Sequence, residues 1–385
     1  VEVVMDSQGR LRVTRLPEEL GFDKGAFVVV RCCQQLLQAR GAEGDQTPLV
    51  VGLAGPMGAG KSEFAKRLKS FLPGITLLKL RNYIDPSKVV DENVDDPRTI
   101  DTAGLRADLH ALRTKRKAEI PLRDKAGALT GSLVVDDPRM RVILVSGEYA
   151  LHPDVRGELD LGVSISGGIH FDLIKRIQRD VLRDKSSTAG SLISHITETV
   201  FPMYKAWVMG DMASAEVRIR NEFNPLSGLM SGSHYSLKSS EVAISAQDIQ
   251  EAFSRVANCS VEVVPVEEET TDIYLLPPGE DVETCKDWIR MRLRGGKYTI
   301  HFEEYITDGP LVISPSFSFA VQVQVLSGLM TLGYTIGAIL KRSSHVYKVQ
   351  DAEVHKAIGS LVVKQDHIQQ FGRTFTAIAG TNRAV

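Results

Sequence analysis

Through the first part of the chain, short apolar runs alternate with helical stripes. Leu49–Ala54 is an unbroken apolar run, the pattern of a parallel strand buried on both faces. Phe64, Ala65, Leu68, Phe71 and Leu72 then share one helical face, and Pro73-Gly74 stops that helix. Ile75–Leu80, Arg139–Val145 and the alternating Leu159–Ile165 predict further strands. Leu105, Leu109 and Leu112 predict a helix that ends in the basic stretch Arg113–Lys117, where cations suit the helix dipole. Ile174, Ile177 and Val181 form the stripe of an amphipathic helix, and Leu192, Ile193, Ile196, Val200, Met203 and Trp207 that of another. Residues 1–47 read as a small adapter: two short strands, Val1–Met5 and Leu11–Leu16, a helix over Phe27–Ala39, and the polar linker Gly41–Thr47. Strands alternating with helices predict a three-layer α/β domain on a parallel sheet, over residues 48–233.

After Pro225–Ser233, rich in Gly and Ser, the rhythm changes, so residues 234–385 read as a separate α+β domain. Ser245-x-x-Asp248 is the pattern of a capping box ahead of a helix. In Trp288–Arg294, Arg290, Arg292 and Arg294 point one way and Ile289, Met291 and Leu293 the other. Gly295-Gly296 predicts a two-residue hairpin turn. That turn sets Arg294 opposite Lys297, Arg292 opposite Thr299 and Arg290 opposite His301, so both polar faces coincide. Two readings fit such a wall: an ordinary exposed sheet face, or the lining of an anion site, where like charges side by side are tolerated. Phe317–Val325 alternates as a strand, Leu326–Leu332 predicts a helix closed by Gly333, and Tyr334–Lys341 a strand that ends at Lys341-Arg342.

The candidate chemistry sits between the first strand and helix of the α/β domain. Gly55-Pro56-Met57-Gly58-Ala59-Gly60-Lys61-Ser62 matches the phosphate-binding loop without mismatch. Such a loop wraps backbone N–H groups round nucleotide phosphates, its lysine reaches the β- and γ-phosphates, and its serine ligates Mg²⁺. The helix N-terminus adds its own attraction for anions. Downstream, Arg176, Arg179 and Arg183 share one helical face, which reads either as a solvated basic face or as a lid supplying charge during transfer. A net charge of −2 gives no bulk pull toward nucleic acid, and the basic β wall lacks interleaved aromatics for stacking bases, so no nucleic-acid partner is expected. Cys32, Cys33, Cys259 and Cys285 make no zinc or disulfide pattern, and no apolar run reaches the length of a membrane span. The first residue is Val1, so a targeting segment or membrane anchor outside this chain stays open.

Longer stretches resemble a known family. Phe22-Asp23-Lys24-Gly25, Arg31–Leu37, Asp95-Asp96-Pro97-Arg98, Gly168–Arg176, Ile273–Asp281 and Leu329–Ile336 are similar to the plant triphosphate tunnel metalloenzymes, which join a uridine kinase-like domain to a CYTH domain. The resemblance implies an α/β P-loop NTPase fold followed by an eight-stranded antiparallel CYTH tunnel barrel. It implies ATP or another nucleoside triphosphate on Lys61 and Ser62 with Mg²⁺ or Mn²⁺, and inorganic polyphosphate on tunnel cations at Arg290, Arg292, Lys297, Lys341 and Arg342. Arg176 and Arg179 match the kinase family's phosphate-side arginines, and Asp85, Asp91 and Asp95 remain as metal or catalytic partners. It also implies an intracellular protein, in the cytoplasm or on the cytosolic face of the mitochondrial outer membrane.

Several expected acids are replaced. The position before Asn82-Tyr83, an Asp in the relatives, is Arg81, and a guanidinium takes no proton at neutral pH. Ser146 stands where a Glu is expected, with Glu148 displaced by two, and Pro121–Lys125 lacks the two rings of the substrate loop. Near the CYTH Glu-x-Glu-x-Lys signature there is only Glu267-x-Glu269-x-Thr271, and the later strand carries Ala320 and Gln322, which leaves Glu303 and Glu304 as acids and Glu303 as a metal candidate. Three functions follow: phosphotransfer or phosphohydrolysis at the loop on nucleotide, pyrophosphate or triphosphate; a catalytically weakened nucleotide- and polyphosphate-binding module; or hydrolysis of pyrophosphate or triphosphate in the tunnel.

Overall fold

A computed structural model describes residues 2–7, 9–90, 93–94, 96–124, 127–177, 188–221, 235–239, 244–257, 263–303, 306–308, 311–313, 316–349 and 361–380. The chain forms two compact units, Val1–Asp184 with His195–Asn224, and Lys185–Ser194 with Pro225–Val385. The expected boundary at Pro225–Ser233 lies outside the described residues.

In the first unit, β1 (Val3–Met5) and β2 (Leu11–Val13) make a small hairpin. A six-stranded, wholly parallel sheet follows the order β3 (Glu19–Gly21), β10 (Val217–Arg220), β9 (Leu161–Ser166), β4 (Leu49–Ala54), β8 (Val142–Ser146), β5 (Ile75–Lys79). Alternation along β4 feeds two layers. Leu49, Val51 and Leu53 join a core with Val29 and Leu36 of α1 (Phe22–Ala42) and Phe64 and Leu68 of α2 (Lys61–Phe71). Val50 and Ala54 join another with Leu105, Leu109 and Leu112 of α3 (Thr102–Lys115). Helices on both faces of a parallel sheet are the expected three-layer α/β arrangement. The first residues belong to this same unit, because β3 pairs with β10 and α1 starts directly after it, earlier than the predicted Phe27. A buried carboxylate ties the layers together: Asp160 accepts from Val50 N–H at 2.7 Å and from Arg113 at 2.8 Å, and Arg40 reaches its other oxygen.

Pro121–Arg123, from the expected substrate loop, end β6 (Lys117–Arg123), which forms a hairpin with β7 (Leu129–Asp136). After the single turn α4 (Pro153–Arg156) and β9 comes α5 (Ile169–Ile177). The predicted helix over Leu192–Trp207 forms as α6 (Ala189–His195), α7 (Phe201–Met203) and α8 (Met209–Ala213), joined by π-helical stretches at Ile196–Val200 and Tyr204–Val208.

The second unit holds a ten-stranded sheet in which all neighbours are antiparallel. Its order is β15 (Ile306–Asp308), β16 (Leu311–Ile313), β11 (Tyr235–Ser239), β20 (Arg373–Gly380), β19 (Val362–Ile368), β18 (Thr335–Val349), β12 (Val263–Leu276), β13 (Ile289–Arg294), β14 (Lys297–Glu303), β17 (Ser316–Val321). Among the described residues ten strands, counting the three-residue β15 and β16, form the antiparallel sheet expected of a CYTH barrel of eight strands. The predicted turn is present: Gly295 and Gly296 have φ of 54° and 76°, both in the left-handed region that a type I′ turn requires. The capping box at α9 (Ala246–Ala257) also forms, with Ser245 N–H donating to Asp248 at 3.0 Å and Asp248 N–H returning to the Ser245 hydroxyl at 3.1 Å. α10 (Gln324–Thr331) starts where the alternating pattern predicted strand, and Gly333 closes it at φ 95°. Among the described residues no helix is long and apolar enough to cross a membrane.

Candidate phosphate sites

The phosphate loop joins the C-terminal end of β4 to the first residue of α2, where ligands bind open parallel sheets. Two of its glycines are dictated by geometry. A Cβ on Gly55 would lie 2.1 Å from the Ile165 carbonyl oxygen. Gly60 caps α2 at φ 98°, and a Cβ there would meet Asn221 Nδ2 at 2.5 Å. Asn221 is buried and donates to the Ala59 carbonyl at 2.9 Å, a brace the sequence reading missed. Lys61 Nζ donates to the carbonyls of Gly55 and Pro56 at 2.5 and 2.9 Å, so its ammonium group lies folded along the loop. Ser62 is exposed in the first turn of α2. Pro56, Met57, Gly58 and Ala59 complete the loop between them.

α5 rests on this loop, since a Cβ on Gly58 would lie 2.8 Å from the Asp172 carbonyl and 3.5 Å from the Arg176 amide. Arg176 is buried, so it does not belong to a solvated basic face. Arg179, Arg183, Asp91 and Asp95 lie outside the described residues. Asp85 is placed locally: its Oδ1 accepts from the Ser87 N–H at 3.0 Å and the Ser87 hydroxyl at 2.7 Å, capping its own short 3-10 turn. Arg81 is exposed and Ser146 ends β8, so neither supplies an acid.

An acid the sequence reading gave no role lies within the electrostatic reach of Lys61. Asp172 accepts from the Gly167 N–H and the Ser166 hydroxyl, both at 3.4 Å. Burial of its carboxyl pushes Asp172 up to about 8, opposed by those two hydrogen bonds and the Lys61 charge and reinforced by Glu148. Tyr204, from a π-helical stretch, bonds to the same Ser166; burial and the nearby Asp172 push its phenol up to about 12. Ser166 ends β9 beside the loop strand, and that position at a strand's C-terminal end was the available signal.

In the second unit, strand register sorts the tunnel candidates. β12, β13 and β18 place Asp272 opposite Arg292 and Thr270 opposite Arg342, on one enclosed face. Asp272 has no exposed side-chain surface. Its oxygens take Arg292 Nε and Nη2 at 2.6 and 2.8 Å, a two-pronged pair. Arg342 Nε lies 3.0 Å away and Arg290 Nη1 4.0 Å. Burial raises the Asp272 carboxyl, but the Arg292 hydrogen bonds and the charges of Arg292, Arg290 and Arg342 outweigh it and hold it below the usual range. Arg342 also reaches Asp366 at 3.3 Å and the Tyr274 hydroxyl at 2.8 Å, and Lys364 pairs with Asp366 at 3.1 Å.

Three expectations change here. Lys341 does not accompany Arg342: β18 runs on past both, neighbouring residues alternate, and Lys341 faces away, opposite Thr271. Glu267 and Glu269 also occupy that outer face, with Glu267 3.4 Å from His345. The inner face reads Glu268-x-Thr270-x-Asp272. Arg294 and Lys297 sit exposed by the turn, with Arg294 3.2 Å from Glu268. Glu303 closes β14; its side chain lies outside the described residues.

This face suits anions better than a metal ion. Its described cations include Arg290, Arg292, Arg294, Lys297, Arg342 and Lys364, and they outnumber its described carboxylates, Glu268, Asp272 and Asp366. The buried carboxylates are already held by guanidinium and ammonium groups. Among the described residues no three His, Cys, Asp or Glu side chains are placed to hold a metal ion. A divalent cation arriving with a nucleotide fits the loop differently, because the phosphates supply most of its ligands and Ser62 presents an exposed hydroxyl.

The model of the CYTH domain matches residues 246–371. Over 97% of this chain the sequence is 41% identical to the inorganic pyrophosphatase TTM1 of Arabidopsis thaliana, covering 55% of that protein. Over 97% of this chain it is 38% identical to uridine-cytidine kinase C of Dictyostelium discoideum, covering 80% of it. A uridine kinase of Ureaplasma parvum is 27% identical over 46% of this chain and 91% of its own length. The chain spans about half the length of the plant relatives it matches.

Proposed function

The chain belongs to the family in which a uridine kinase-like region precedes a CYTH domain, and from that premise we propose that its first unit binds a nucleoside triphosphate and performs phosphoryl-group chemistry at the Gly55–Ser62 loop. The carrying observation is that loop itself, seated between β4 and α2 with Lys61 folded along it. Loop amides and the α2 N-terminus receive the phosphates. Lys61 exchanges two carbonyl oxygens for phosphate oxygens, a stronger, charge-assisted set of partners. Ser62, with the phosphates, would hold the Mg²⁺ or Mn²⁺ that neutralises developing charge. Lys61, Arg176 and, by sequence, Arg179 and Arg183 are the cations assigned to the transferring group. Uridine is a poor fit as acceptor: Arg123 and Lys125 replace the rings, and Arg123 is engaged locally, donating to the Asn82 and Gly127 carbonyls at 3.2 and 2.9 Å. The test is a turnover panel of ATP, GTP, pyrophosphate and tripolyphosphate with Mg²⁺ and with Mn²⁺, run beside Lys61→Ala. Turnover that vanishes in Lys61→Ala is expected; turnover indifferent to it sinks the reading.

A second reading concerns the CYTH unit, and Asp272 carries it. With that acid clamped by Arg292 and Arg342, the inner face receives short polyphosphate chains without assembling a protein-held metal site. It is therefore expected to bind tripolyphosphate and hydrolyse it poorly. Titration should give binding that Arg292→Ala weakens at least tenfold, or about 1.4 kcal/mol. Rapid hydrolysis that survives Lys61→Ala would show instead that the tunnel is catalytic.

A further inference from the structure

Two of the acids that sequence comparison leads one to expect round the loop are missing, at Arg81 and Ser146. Chemistry at a terminal phosphoryl still needs a group that orients the attacking hydroxyl and accepts its proton. The structure brings one there by another route. β9 ends at Ser166, the chain turns through Gly167-Gly168, and the first turn of α5 sets Asp172 against the loop. Its carboxyl lies within the fields of Lys61 and of Glu148, which follows β8. Ser166 donates to one oxygen and the Gly167 amide to the other. Tyr204 closes over Ser166 from a π-helical turn, a wider turn often found where a helix is shaped for function.

Resting on the nucleotide-binding reading above, we infer that Asp172 is the general base of the loop site, taking the place of the acids absent at Arg81 and Ser146. In the step it serves, an oxygen of water or of an acceptor hydroxyl gives its lone pair to the terminal phosphorus. The bond from that phosphorus to the bridging oxygen breaks, and the departing group keeps its electron pair. The attacking oxygen's proton passes to an Asp172 oxygen and leaves to solvent. A carboxyl whose affinity for protons is raised by burial is suited to this, since a base works best near the operating pH. The competing account is structural: Asp172 only ties down the start of α5 through the Gly167 amide.

Asp172→Asn separates the two. It keeps the shape and one accepting oxygen but removes the base. The measurements are the Kd for ATP and the Lys61-dependent turnover of ATP and pyrophosphate, with Asp172→Glu as the variant that keeps the acid. A base contributes about 10²–10⁴-fold. The expected result is a kcat lowered at least about 100-fold in Asp172→Asn, with Kd changed less than threefold, and at least about tenfold recovery in Asp172→Glu. The inference is overturned if Asp172→Asn stays within threefold of the unaltered chain, if Asp172→Glu is as slow as Asp172→Asn, or if ATP affinity and kcat are lost together. It is also overturned if the unaltered chain binds ATP but has no Lys61-dependent turnover, an outcome that leaves nucleotide binding standing. Absence of ATP binding removes the underlying reading itself.

Discussion

Asp172 and Asp272 are shifted in opposite directions, and that difference is measurable. Asp172, raised to about 8, takes up a proton in the folded state that an unfolded carboxyl releases near its usual value of about 4. Between those values the folded state binds more protons, so the Asp172 contribution to stability falls as pH rises from about 4 to about 8. Asp172→Asn should therefore flatten the decline of Tm across that window; an unchanged slope would contradict the assignment. Asp272 is held below the usual range, so its contribution is present above the unfolded value and is lost as pH falls through the folded one. At the loop, Gly60→Ala places a Cβ 2.5 Å from Asn221 Nδ2 and forces a left-handed φ on alanine. Nucleotide affinity should fall at least tenfold, with the loss read by titration; an unchanged Kd would mean the loop tolerates a different path.

At the scale of elements, what was legible follows from periodicity. The strand–loop–helix unit, the arginine hairpin and its facing pairs could be read because each alternates and is punctuated by glycine. β6 and β7 were not read. β6 does alternate, but β7 is exposed along nearly its whole length, so it shows no inner face to reveal it. The tunnel was half legible. Arg290 and Arg292 announced their face by alternation, whereas Lys341 and the Glu267-x-Glu269 pair were assigned by proximity in sequence. One residue of register reverses a side chain's face, and β18 was read as ending where it continues. Asp272 was hidden for the same reason, as it stands one place beyond the apparent signature. Asp272→Ala leaves Arg292 and Arg342 without their shared buried counter-charge. Breaking such a pair costs about 3–5 kcal/mol. Urea unfolding followed at Trp288, in a Trp207→Phe background, should show that loss; a change below about 1 kcal/mol would mean the arginines find other partners.

For the whole molecule, two anion sites are assigned to two units, each with its own sheet and core. Their ligands should then be separable: Lys61→Ala abolishes nucleotide binding and spares tripolyphosphate on the CYTH unit, while Arg292→Ala does the reverse. Tripolyphosphate binding should also weaken steeply with salt, because that face carries excess positive charge. The most direct measurement is calorimetric titration of ATP with Mg²⁺ into the unaltered chain and into Lys61→Ala. Saturable, one-site binding in the micromolar range, about −8 kcal/mol, lost in Lys61→Ala, is the predicted result. No heat with the unaltered chain, or equal binding by both proteins, would contradict a phosphate-binding role for the Gly55–Ser62 loop.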